Sequence, residues 1–360
     1  MTALTERRQA PPRSGGEGPP LDALKYWMVC AALALGAVVA ASSHAILPSK
    51  LFLDESIIRR FIAGTLRFDG PSSYGTTGWL YRVTGLADIP DLFPVLAYAV
   101  FAVGVVVAVG WRGIPALSFP EVAVVAGSLL LGAVYLSQYS KEFFVLPLVI
   151  LLLLARRSWV VEVAWICLAL LYAGFVRQYW FLVVVLYIAL RVLIPLLRSA
   201  WLLVPVIMLG FAAMTLAFTF VLGAELTFFR SDINDTLDID RSTRIDDLIP
   251  GASLPAQWLN AVVMILAIAF PVALVVSGDP LQMVTGLFVA LCWVLVALRS
   301  ARVVGRPGPG VVPLAFLLAF LMVQSVFEPD FGSYVRHITP QLPLFLALFV
   351  ATDERTKATS

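Results

Sequence analysis

The chain has 360 residues, 60% of them hydrophobic and only 13% charged, with a mean hydropathy of +0.92. A soluble domain is nearer half apolar and about a quarter charged, so this composition excludes an ordinary soluble fold and points to an integral membrane protein. The net charge of +2 gives no reason to expect a nucleic-acid partner.

The apolar segments are continuous runs, not the alternating short segments of an outer-membrane barrel. The expected fold is all-α: a polytopic transmembrane bundle of about ten to twelve helices with two longer loops. Residues 1–22 are polar and rich in Pro, Gly and Arg, and read as a disordered cytoplasmic tail. Residues 23–352 form the transmembrane domain, and 353–360 read as a second cytoplasmic tail. The apolar runs are 25–47, 92–111, 120–136, 143–155, 159–176, 179–197, 202–222, 258–276, 281–298, 311–327 and 340–350. The first is long enough to span and reads as helix one rather than a signal peptide. Cys30, Cys167 and Cys292 lie inside apolar runs and read as packing residues.

The first long loop, 48–91, opens with Leu53-Asp54-Glu55-Ser-Ile-Ile-Arg59-Arg60. At helical spacing Glu55 faces Arg59, and Ile57, Ile58, Phe61 and Ile62 supply an apolar side. Two readings stand: an interfacial amphipathic helix with a solvated ion pair, or an acid and an Arg pair at a cavity mouth. Tyr74, Trp79 and Tyr81 follow, able to stack on sugar rings or to serve as interfacial aromatics. Lys141 and Glu142 lie between two apolar runs, as does Arg177. Each is either a snorkelling interfacial group or part of a shared anion site.

The second long loop, 223–257, holds six acids and three arginines between Arg230 and Asp247. Asp235, Asp238 and Asp240 are close enough in sequence to gather a cation, but they lack the glycine and terminal glutamate of a calcium loop. A solvated loop or a lid is the stronger reading, and no metal is assigned. Asn234-Asp-Thr236 fits the glycosylation pattern at the level of chance.

The basic residues of the first half place the N-terminus in the cytoplasm by the positive-inside rule. The same count sets Arg299, Arg302 and Arg306 on the wrong side. One run between Leu202 and Leu298 is therefore miscounted, re-entrant or split, and Pro271 and Pro280 mark the places for a break. With the basic loop inside, residues 328–337 fall outside, on the face of the first loop.

Residues 328–337, Glu-Pro-Asp-Phe-Gly-Ser-Tyr-Val-Arg-His, are the densest polar cluster. Pro329 stops the incoming helix, Gly332-Ser333 supplies a turn, and Thr339-Pro340 starts the next helix. The expectation is a tight loop holding Glu328, Asp330, Arg336 and His337 together. His337 is suited to acid–base work near neutral pH and Arg336 to phosphate. A self-neutralised turn is the plainer alternative. His44 reads as an interfacial polar residue.

The acidic and basic segment after helix one, the Ser140-Lys141-Glu142 turn, the Arg177-Gln178 turn and the late Gly332-Ser333-x-x-Arg336-His337 segment together resemble the membrane proteins of bacterial polysaccharide clusters. The resemblance is to the O-antigen and exopolysaccharide polymerases, and more distantly to the GT-C glycosyltransferases that use lipid-linked sugars. It implies Arg230, Arg241 and Arg244 as functional residues of an external loop, and Asp54 or Glu55 as the essential acid of the first external loop. It further implies a multi-pass protein of the bacterial inner membrane that acts on polyprenyl-pyrophosphate-linked sugar, with membrane lipid and polysaccharide-synthesis proteins as partners. The expected catalytic residues are His337, Glu328 and Asp54. The expected pyrophosphate ligands are Arg336, Arg177, Arg59, Arg60 and Lys141, with Asp330 and Glu55 as further site residues. No cofactor is expected. The rivals are a GT-C enzyme adding one sugar, a flippase or transporter, and a structural subunit of a synthesis complex.

Overall fold

A computed structural model describes residues 19–67, 72–156, 158–236, 243–249, 251 and 253–359. Residues 1–18 of the expected tail, and Asp238, Asp240 and Arg241 of the acidic loop, lie outside the described residues, as does the side chain of Asp235. Among the described residues there is no β-strand, and the sole bridge joins Arg244 to Asp330. The all-α expectation holds.

The helices are α1 (Pro19–Ala41), α2 (Ser43–Ile46), α3 (Leu53–Ile62), α4 (Ser73–Val83), α5 (Phe93–Val109), α6 (Phe119–Tyr135), α7 (Val145–Ala155), α8 (Trp159–Phe175) and α9 (Trp180–Leu193). They continue with α10 (Leu203–Ala217), α11 (Phe228–Thr236), α12 (Leu254–Ala269), α13 (Val272–Val275), α14 (Pro280–Val303), α15 (Val311–Phe327), α16 (Phe331–Ile338) and α17 (Leu342–Thr359). Four stretches are long and apolar enough to cross a membrane: Pro20–Ala41, Ala200–Leu222, Leu254–Val275 and Pro280–Val303. Six shorter apolar helices accompany them.

Helix α15 is the central post. It is apolar all round, and every residue from Val311 to Val326 is buried, as expected of a helix enclosed on all sides. It packs against α7, α9, α12 and α17, and α17 in turn packs against α5, α6 and α14. Between apolar helices in lipid, close packing replaces the hydrophobic drive. Gly132 on α6 lies against the Phe101 ring of α5, where an added Cβ would come within 2.3 Å.

The bundle has two unlike ends. At one, Arg299 near the end of α14 pairs with Glu121 at the start of α6, and Gly305 N–H donates to Ile194 O at the end of α9 (3.0 Å). Arg156 and Arg198 terminate elements that reach the same end, which we call the basic end. The other end gathers α3, α4, α16 and the connections 136–142 and 176–179.

These contacts show how the stretch behind the conflicting crossing count is laid out. Helix α14 has 24 residues, about 36 Å of rise, so its N-terminus lies far from the basic end. The preceding stretch both starts and finishes there. At its start, Gln257 and Asn260 accept N–H groups from Leu226, Leu248 and Ile249. At its finish, Leu274 and Val275 pack on Gly286 of α14. Between them the helix breaks at Phe270-Pro271, one of the two prolines the sequence marked for a break. The run 258–276 therefore starts and finishes at the same end of the bundle.

Neither long loop is an open loop. Segment 48–91 carries α3 and α4, and segment 223–257 carries α11 and the start of α12. The C-terminal tail continues α17 as helix to Thr359.

Candidate functional site

The site grows from the end of α15. A residue before proline avoids helical ψ, and Glu328, ahead of Pro329, turns extended at φ −75° and ψ 121°. Asp330 then caps α16, its Oδ1 accepting Ser333 N–H at 2.8 Å. The tight loop expected over 328–337 is thus corrected to a short helix. Gly332-Ser333 forms its first turn, because a capping aspartate satisfies the amide that would otherwise define a turn. Tyr334 anchors α16 by accepting from Trp293 Nε1 at 2.9 Å. Ile245 N–H to Pro329 O (2.9 Å) and Phe331 N–H to Thr243 O (3.0 Å) hold the second loop over the turn.

Arg336 and His337 occupy the last turn of α16 and diverge around the helix. Arg336 Nη1 meets Asp54 Oδ2 of α3 at 2.7 Å. The Tyr74 hydroxyl of α4 donates to Asp54 Oδ1 at 2.9 Å. Burial, then the Asp54 charge, pushes the Tyr74 hydroxyl pKa up, so it remains a proton donor. His337 Nδ1 lies 2.8 Å from Glu328 Oε2 and its Nε2 lies 3.2 Å from Glu142 Oε1.

Glu142 is the hub. Its Oε1 is held by Arg177, faces His337, and lies 3.8 Å from Arg336 Nε. Its Oε2 is buried without a hydrogen-bond partner, and so is Glu328 Oε1. Buried carboxylate oxygens are normally satisfied, and in the same cluster Arg336 Nε and His337 Nε2 are likewise buried without a hydrogen bond.

Lys141 completes the group. Its Nζ donates to Ser73 Oγ at 2.9 Å and sits 3.3 Å from the Tyr74 ring centroid. Burial, followed by the Arg177 charge, lowers its pKa to about 7, against the opposing pull of Asp54 and Glu142. The connection 137–142 that presents Lys141 and Glu142 is itself buried. A buried loop needs its backbone satisfied. Tyr81 hydroxyl does this by bonding Ser140 O (2.7 Å) and Ser140 N–H (3.0 Å), and Tyr172 hydroxyl donates to Lys141 O (3.4 Å). Tyr81 is therefore a loop support, not a stacking platform.

The arrangement is recessed. Helix α7 descends from Glu142 to the basic end in 11 residues, about 16 Å, while α14 runs more than twice that length. Within the recess Asp54 and Arg336 are the most open groups, at 16% and 20% exposure, whereas Glu142 and Glu328 are at 2% and 1%.

Of the residues singled out in the sequence, Asp54, Lys141, Arg177, Glu328, Arg336 and His337 converge. Asp330 stands next to them as a helix cap. Glu55 and Arg59 do not join. Glu55 is buried between His44 Nε2 (2.9 Å) and the Arg59 guanidinium (2.7 and 2.8 Å), and Arg59 lies over the Tyr139 ring. The i,i+4 pair of the amphipathic-helix reading forms, but its acid is buried instead of solvated. Arg60 is exposed on α3. In the second loop, Arg230 is buried and ties α11 to Ser325 O and Asp247, and Arg244 pairs with exposed Asp246. Neither faces the cluster. Among the described residues no group of His, Cys, Asp and Glu could hold a metal.

Glu142 is the residue that sequence reasoning undervalued. Its single available signal was a carboxylate beside Lys141 at a break between apolar runs. The chain matches no protein-family model, no curated protein and no solved structure.

Proposed function

We propose that the chain is a membrane glycosyl-transferring enzyme that uses polyprenyl-pyrophosphate-linked saccharides, with polymerisation of surface-polysaccharide repeat units as its most specific form. The observation that carries the proposal is the convergence of Asp54, Lys141, Arg177 and Arg336 from four separate segments on one recess. Such a recess joins a carboxylate to two guanidinium groups and a lysine that titrates near neutral pH, the groups needed to take a proton and to receive a departing pyrophosphate.

In this reading Asp54 is the base, being the carboxylate that an acceptor hydroxyl can reach. Glu328 and His337 act behind it. As the acceptor oxygen bonds to the sugar's anomeric carbon, the bond from that carbon to the phosphate oxygen breaks. The electron pair leaves with the pyrophosphate, and the hydroxyl proton passes to Asp54. Arg336, freed from Asp54 by the incoming phosphate, joins Arg177 and Lys141 in stabilising the leaving charge. The basic end lies in the cytoplasm and the site opens on the opposite face of a bacterial inner membrane.

The test is polymer length in the source organism carrying Asp54→Asn or Arg336→Ala, with protein level measured in parallel. Short or absent polymer with accumulated single lipid-linked units supports the reading; unchanged polymer at normal protein level ends it. The depth of the recess also suits a transporter of lipid-linked saccharide. Purified protein in liposomes separates the two, since an enzyme elongates its substrate and a transporter only moves it.

A further inference from the structure

At the basic end a cavity of about 550 Å³ opens between the connection that follows α9 and the residues that follow α14. Its lining includes Leu197, Arg198, Trp201, Gly305 and Arg306. The cavity is fixed by backbone rather than by mobile side chains. Gly305 adopts φ +74° and donates its N–H to Ile194 O, and an added Cβ would come within 2.6 Å of Leu197 O. A residue with a side chain would need both a left-handed backbone and space that is absent. The two connections are thereby locked side by side, and each brings one arginine to the same opening.

Those arginines differ from the buried and half-buried ones of the bundle. Among the described residues, neither the Arg198 nor the Arg306 guanidinium has an ion-pair or hydrogen-bond partner, whereas Arg177, Arg191, Arg230 and Arg336 are all paired. The rim is apolar and exposed: Trp201 is 83% exposed and Leu196 72%. A tryptophan and a leucine projecting beside two unpaired guanidinium groups, at the basic end of a membrane-spanning bundle, form an interfacial arrangement. The volume falls within the range of small-molecule sites.

We infer that this cavity binds the phosphate headgroup of an anionic membrane lipid. Arg198 and Arg306 hold the phosphate oxygens, and Trp201 and Leu196 lie along the start of the acyl chains. Basic pockets between spanning helices on the cytoplasmic side recognise lipid in this way. The site is independent of the recess around Glu142 and of the activity proposed for it.

The experiment uses the full chain in detergent and measures binding of phosphatidylglycerol, with phosphatidylcholine and inorganic phosphate as separate probes. Wild type should prefer phosphatidylglycerol. Arg198→Ala/Arg306→Ala should weaken it about thirtyfold, the effect of two interfacial arginines. Arg198→Lys/Arg306→Lys should keep most of the affinity, which separates lost charge from lost fold. Brominated phosphatidylglycerol should quench indole fluorescence in wild type and less in Trp201→Phe. Equal binding of the two lipids by wild type, or equal binding of phosphatidylglycerol by wild type and the alanine variant, overturns the site. Displacement of phosphatidylglycerol by inorganic phosphate at matched concentration overturns the lipid assignment in favour of a soluble anion. If the alanine variant does not fold, the lysine variant and the quenching difference still decide.

Discussion

Two buried glutamates, one at each end of the bundle, have opposite surroundings. Glu121 at the basic end is fully satisfied. Its Oε2 accepts from both the backbone N–H and the hydroxyl of Ser118 at 2.8 Å, and its Oε1 receives Arg299. That is a capping box with a cation added, and it starts α6. Glu142 at the other end has Arg177, His337 and Arg336 around one oxygen and no hydrogen-bond partner for the other. A carboxylate placed for stability has its acceptors filled by local chain. Glu142 is instead held by tertiary contacts from α16 and the 176–179 connection.

The largest effect that would test this contrast is on folding. Glu142→Ala leaves Arg177, Arg336 and His337 facing each other in a buried space. Removing one partner of a buried ion pair costs about 3–5 kcal/mol. Glu121→Ala should cost a similar amount, since it strips both Arg299 and the α6 cap. The contrast lies in activity per folded molecule, measured after correcting for the fraction folded. Glu121→Ala should retain it and Glu142→Gln should lose it. Equal retention in both would remove Glu142 from the site.

A second effect is one of pH. Lys141 is pushed down to about 7 from 10.5 in the ordinary chain. Between these values the unfolded state binds the proton and the folded state does not, so stability rises with pH across that window. The limiting slope for one proton is about 1.4 kcal/mol per pH unit. Denaturant unfolding of wild type and Lys141→Met from pH 7 to 10 should show this rise in wild type and a flatter profile in the variant. Parallel profiles would mean that Lys141 keeps its proton through its contacts with Ser73 and Tyr74.

At the basic end Gly305→Ala should cost about 1–2 kcal/mol from left-handed backbone alone, and more from the contact with Leu197 O. Thermal unfolding measures it. Because the cavity floor depends on this glycine, the same variant should also disturb the pairing of the two connections without altering the distant recess.

Much of the site was legible in the sequence because polar residues between apolar runs are few, and the alternation of crossings assigns each to an end. Asp54, Lys141, Arg177 and Arg336 were placed together on that logic alone. The break at Pro271 was legible for the same reason, since a proline inside an apolar run coincided with a failed count. Three features were not legible. Glu142 looked like half of a local pair with Lys141, and its true partners come from α16 and the 176–179 connection. The helix α16 was hidden because Gly332-Ser333 carries turn chemistry, and the capping role of Asp330 shows itself only once the helix is formed. Glu55 and Arg59 share the segment of Asp54, yet the helical turn sends Glu55 toward His44 and Asp54 toward Arg336, a divergence set by packing.

The smallest predicted effect concerns that last divergence. Arg60 is on α3 with Asp54 and was grouped with the phosphate ligands by sequence, but it is exposed and outside the recess. Exposed side chains away from special features change stability by within about 0.5 kcal/mol. Arg60→Ala should therefore leave both unfolding and polymer length unchanged, while Arg336→Ala, which removes the partner of Asp54, should shorten polymer if the proposed function holds. A strong loss from Arg60→Ala would mean that the proposed anion site extends beyond the recess around Glu142 to the exposed face of α3.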